Sequence, residues 1–156
     1  MTINFIAHSL TAISAIFAPL VTTEFIIPTI LHPYKLGGIP FKTPGIFKYT
    51  SIYLLCIVLI VGTFATISGM MTTARECKKV EFWSAAVSAK WSMLFALIGL
   101  SVVFFLPLIK APLLALLAPV PFSNLISNGI VMSAFVVFGH FLGDNYLLRT
   151  VCGSGV

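Results

Sequence analysis

Few side chains in this sequence can do chemistry, and they lie far apart. Glu24 is the one acid well inside an apolar run. A charge in the bilayer costs about 3 kcal/mol or more, so such a group must be paired, protonated or facing water. Three readings are open. Lys110, His32 or a backbone group satisfies it within the chain; it is a proton or cation site; or it meets an external partner. Lys90 is the second ionisable group placed within a span. It lies near the start of its span, where a lysine snorkels to the interface. His8 and His140 fall at similar depth in the first and last apolar stretches. Two facing histidines in a four-helix membrane bundle can ligate a haem iron through both axial positions. The alternative is that each donates a hydrogen bond to a neighbouring helix. No other residue pattern supports haem, so no cofactor is expected.

Cys56, Cys77 and Cys152 show no CxxC spacing, and no metal site is expected from them. Cys56 reads as a small apolar filler within a span. Cys77 and Cys152 fall on the same side of the membrane and can pair if that side is oxidising; reduced or acylated thiols are equally open. Asp144, five residues before Arg149, reads as a helix-end cap or salt bridge. No nucleotide loop, HExxH, GxSxG or Ser/His/Asp arrangement occurs. With four acids in 156 residues, paired-carboxylate chemistry has almost no candidates, and a non-enzymatic role is expected. Lys78 and Lys79 are too few to suggest nucleic acid.

The elements that position these residues follow from composition. Hydrophobic residues make up 59% of the chain and charged ones 8%. A soluble domain carries roughly 25% charge, so this chain reads as all-α: a polytopic membrane protein with a bundle of about four transmembrane helices in one domain. Spans of roughly 20 apolar residues are needed. They fall at about 4–31, 50–71, 82–109 and 123–148. The first has no basic leader and is longer than a signal-peptide core, so a retained span is expected. Residues 32–49, HPYKLGGIPFKTPGIFKY, hold three prolines and three glycines and read as a basic loop. Residues 72–81 form a charged turn. Residues 110–122, bracketed by Pro112, Pro119 and Pro121, are too short to span and read as interfacial or re-entrant.

Within lipid, helices associate through close packing and polar contacts. Ser84, Ser88, Ser92 and Ala96 recur every four residues on the third span, and Gly139 and Gly143 form a GxxxG pair on the fourth. The spacing favours packing within the chain over a homo-oligomer interface. Pro19 and Pro28 each remove a backbone donor, so a kinked first helix is expected.

Basic residues form two collars, Lys35, Lys42 and Lys48 at one side and Arg75, Lys78 and Lys79 at the other. They suit contact with anionic head groups or an acidic protein surface. The charges are too evenly divided to set orientation by the positive-inside rule.

The segment RECKKVEFWSAAVSAKWSML, residues 75–94, joins a basic cysteine-containing turn to an amphipathic lead-in and then a span. With the small size, abundant Phe and few acids, it resembles small multi-spanning membrane proteins of large icosahedral nucleocytoplasmic double-stranded DNA viruses. The resemblance implies a place in the virion internal membrane as a minor capsid component. It carries over no functional residue. The expected function is a structural membrane subunit whose partners are the bilayer and other subunits, capsid proteins among them. The alternative is a small channel or transporter subunit that uses Glu24 in the proline-kinked first helix.

Overall fold

The computed structural model describes residues 5–31 and 46–153. In chain order the elements are α1 (Phe5–Val21), a π-helical turn (Thr22–Ile26), α2 (Ile27–Leu31), α3 (Ile46–Cys77), α4 (Phe82–Phe105), a 3-10 turn (Pro107–Lys110), α5 (Ala111–Leu116), α6 (Ser123–Leu147) and a second π-helical turn (Leu148–Cys152). Among the described residues, four helical segments are long and apolar enough to cross a membrane: Phe5–Thr29, Thr50–Cys77, Phe82–Phe105 and Ser123–Cys152. The chain is therefore an all-α bundle of multi-pass membrane type. Helices suit such a sequence because each backbone donor is satisfied within its own segment, where lipid offers no partner.

The boundaries differ from the sequence reading in three places. The second helix is longer at both ends: it starts at Ile46, so residues 46–49 are helical instead of loop, and it continues through Thr72–Cys77. Pro44 and Gly45 stand just before its start, where a helix tolerates them. Ala74, Arg75 and Glu76 are helix formers that carry it onward. Lys78, at φ 56°, then stops it. At 32 residues this helix is about 48 Å long, well over a hydrocarbon core of about 30 Å. The third span ends at Phe105, not Ile109, because Leu106 leaves helical geometry ahead of Pro107. The first span, for which the two prolines predict a kink, departs from α-helical register. Between Pro19 and Pro28 the backbone takes a π-helical register, with the Ile27 amide donating to the Thr22 carbonyl. The Pro/Gly segment with Lys35 and Lys42 lies outside the described residues.

The four long helices form a ring in which α1 packs on α3 and α6, and α4 packs on α3 and α6. Each ring neighbour is antiparallel to the next, and α3 touches α6 across the diagonal. Ala15, Ala18, Ile57, Val61, Ala96, Leu100, Met132 and Val136 make the central core. Phe17, Leu55, Leu59, Phe104 and Phe138 point outward. The apolar groups outside outrank those inside in size, as expected where the surrounding solvent is lipid.

Close approach between backbones sets the packing of α6. A Cβ on Gly143 would stand 2.6 Å from the Ser88 carbonyl oxygen, and one on Gly139 would stand 2.6 Å from that of Trp91. Gly129 lies directly against the Ile16 carbonyl of α1. Ser88, Ser92 and Ala96 are buried on the facing side of α4, while Ser84 is half-buried. Ser88 Oγ donates back to Ala85 O at 2.8 Å, and Ser92 Oγ has no partner among the described residues. The serine stripe thus acts by small size more than by interhelical hydrogen bonds.

Candidate functional site

The end of the bundle where α1 starts and α6 finishes holds most of its buried polar chemistry; we call it the terminus end. Helix α1 contributes His8 and Thr11, α3 contributes Ser68 and Thr72, and α6 contributes His140 and Asp144. On α1, His8 is one turn before Thr11, and on α6 His140 precedes Asp144 by four residues. Each pair therefore shares a helical face.

Geometry joins them into one seam. Thr11 Oγ1 lies 2.9 Å from Ser68 Oγ and 3.0 Å from Ala7 O, tying α1 to α3. Thr72 Oγ1 lies 3.2 Å from Asp144 Oδ2 and 3.0 Å from Ser68 O, tying α3 to α6. His8 Nδ1 and His140 Nδ1 are 2.8 Å apart, with the rings edge to face at 88°. One of those nitrogens must donate and the other accept, so two doubly protonated rings would aim two N–H groups at each other. His140 Nε2 is 3.5 Å from Asp144 Oδ1, in ion-pair range but without a hydrogen bond. His140 and Asp144 are 3% and 6% exposed, while His8 is half-buried. One turn beyond, Cys77 at the end of α3 and Cys152 after α6 form a disulfide, with Cα atoms 5.7 Å apart. Lys79 Nζ donates to Val151 O beside it at 3.4 Å.

This arrangement corrects two expectations. Asp144 is no helix-end cap: its carboxylate turns inward to Thr72 and His140, because it shares the α6 face of His140, while Arg149 stands exposed in the following turn. The two histidines do meet, but without the flat slot that a haem between them needs. Their nitrogens are in direct contact, and the ring planes are perpendicular.

The remaining sequence candidates are dispersed. Glu24 is exposed on the outside of the bundle, in the π-helical turn, and has no ion-pair partner among the described residues. Lys110, one of its expected partners, donates instead to Asn124 Oδ1 at 2.8 Å and Asn128 Oδ1 at 3.0 Å. The 3-10 turn brings it over the start of α6. Lys90 is exposed, with Nζ 5.8 Å from the ring centres of both Trp91 and Tyr146, an arrangement suited to an interfacial cation. Arg75, Lys78 and Lys79 are exposed around the terminus end. Lys48 lies in the first turn of α3.

The seam was only partly visible in the sequence. The pairing of His8 with His140 follows from matched depth. The part that was missed is Asp144, whose signal was its four-residue spacing from His140. Comparison with known proteins finds no matching family model, no similar curated protein and no solved structure that matches the chain.

Proposed function

We propose that this chain is a non-enzymatic structural subunit that anchors a larger assembly to a bilayer. The observation that carries the reading is the outward position of Glu24. Intramembrane acids almost always face a bundle interior or a watery cavity, paired with another group. Glu24 faces away from its own bundle, five residues inside the end of the candidate span Phe5–Thr29, or about 8 Å of helix rise. Its short side chain reaches the interface less readily than a lysine would. A neighbouring protein subunit with a cationic or hydrogen-bonding group on that face supplies what lipid lacks.

The interior favours the same reading. The helices of the ring are held by backbone-to-glycine contact, and the His–Asp seam sits at the terminus end, away from Glu24. Transport through Glu24 would need that residue to line the interior, and it does not. The more specific form of the proposal makes the assembly a virion, the bilayer its internal membrane and the chain a minor capsid component that touches capsid proteins. That form rests on the resemblance in overall pattern, small size, abundant Phe and few acids, with residues 75–94 as its local part.

Photo-crosslinking in the native membrane tests the proposal. A photoreactive residue at Phe25, beside Glu24, is expected to give a protein adduct of one defined mass, whereas Leu59 on α3 gives lipid adducts only. Lipid adducts alone at both positions would overturn the reading.

A further inference from the structure

We propose that His8, His140 and Asp144 bind one divalent transition-metal ion of the zinc class at the terminus end of the bundle. One ligand atom from each of the three residues can be chosen so that all lie within 4.8 Å of one another. Ligands bonded to tetrahedral zinc at about 2.0–2.2 Å stand roughly 3.3 Å apart. The His140 Nε2–Asp144 Oδ1 pair at 3.5 Å is close to that spacing, and a ring nitrogen of His8 has to leave its 2.8 Å contact with His140 Nδ1 and close on the same point by side-chain rotation.

Three independent features point to a cation rather than to a purely hydrogen-bonded seam. First, buried carboxylates are paired or coordinate metals, and among the described residues the only basic group within ion-pair distance of Asp144 is His140 itself. Second, the buried His140 Nε2 has no hydrogen-bond partner, although the ring stands between two polar groups. An ion seated between that nitrogen and Asp144 Oδ1, 3.5 Å away, would give it the partner it lacks. Third, Thr72 Oγ1 approaches Asp144 Oδ2 and leaves Oδ1 on the side of the histidines. Hydrogen bonds of that kind orient a ligating carboxylate.

The donor set selects the ion class. Two imidazoles and one carboxylate suit zinc, copper, nickel or ferrous iron and do not suit calcium or magnesium, which prefer all-oxygen sites. Zinc imposes the least geometric preference and accepts three protein ligands with a fourth position open. His8 is half-buried and close to the start of α1, so the ion enters from the terminus end without crossing the core. The site joins α1 to α6 where no covalent link does, since the disulfide holds α3 to the end of α6. It is independent of any partner at Glu24.

The test uses the full chain purified in lipid nanodiscs, stripped with a chelator and titrated with Zn2+ against a chromophoric competitor, with Co2+ as the spectroscopic probe. One equivalent of Zn2+ is expected, together with tetrahedral Co2+ absorption bands that Zn2+ abolishes. His8→Ala and Asp144→Asn should each weaken binding more than tenfold, and Thr72→Val about tenfold. Cys56→Ser should leave binding unchanged, which excludes the free thiol as the ligand. Substituting the half-buried His8 with Gln keeps the test open if His140 variants fail to fold. The proposal is overturned if stripped, helical, monodisperse wild-type protein takes up no ion. Binding that survives both His8→Ala and Asp144→Asn overturns it equally.

Discussion

Asp144 shows how much one buried carboxylate can organise. It is four residues from His140 on one helix and meets Thr72 on another, so any change at Asp144 is felt by both. Thr72 shares its hydroxyl between Asp144 and Ser68 O, which makes Thr72→Val a nearly isosteric probe of the link between α3 and α6. Interhelical hydrogen bonds within membranes average about 0.6 kcal/mol and reach about 1.7 kcal/mol. Thr72→Val is expected to lower the unfolding free energy in mixed micelles by about 1 kcal/mol. In a double-mutant cycle with Asp144→Asn, most of that loss should appear as coupling. Strict additivity of the two substitutions would show that the 3.2 Å contact contributes nothing.

At the scale of helices, α6 is the element on which the bundle depends, since it lies against α1 on one side and α4 on the other. Gly139 and Gly143 face backbone carbonyls of α4, and Gly129 faces one of α1. Backbone cannot yield as a flexible side chain can, so a methyl group at any of the three forces two helices apart. Gly143→Ala and Gly139→Ala are each expected to cost about 1–3 kcal/mol, the range for overpacking a filled interior. Gly153→Ala, where no atom lies near the added methyl, should cost less; its φ of 65° sets the residual penalty. Thermal unfolding followed by circular dichroism would rank the three, and equal losses would refute the argument. The elements themselves were legible in the sequence because long apolar runs have a single solution in lipid. Helix ends were less so. The residues past Met71 are polar enough to read as a turn, yet they continue α3: Thr72 and Thr73 are buried against the bundle, Ala74, Arg75 and Glu76 are exposed, and tertiary contact with Val151 and Cys152 holds the end. Glu24 was found by its type alone. Its direction was not visible, because a π-helical turn rotates it relative to the α-helical register on which a sequence reading counts.

The whole molecule is fastened at one end. The disulfide between Cys77 and Cys152 closes 75 residues and clamps α3 to the end of α6 above the His–Asp seam. Chain-entropy reasoning assigns such a link about 4 kcal/mol as an upper figure, because helices that stay inserted when the bundle comes apart have less freedom to lose. Reduction, or Cys152→Ser, should therefore lower the thermal midpoint, and the intact protein should migrate faster on a non-reducing gel than on a reducing one. The bond also breaks the symmetry that the charges leave. The sequence between α2 and α3 carries Lys35 and Lys42, with Lys48 and Lys110 nearby, whereas the other end carries Arg75, Lys78, Lys79 and Arg149, so positive charge alone selects neither orientation. Disulfides persist in oxidising compartments and are rare in the cytosol. The disulfide therefore predicts a terminus end that faces the lumen or exterior. A glycosylation acceptor appended after Val156 should be modified in microsomes, while one inserted between α2 and α3 should not. The reverse pattern would place the disulfide on the reducing side and overturn this orientation.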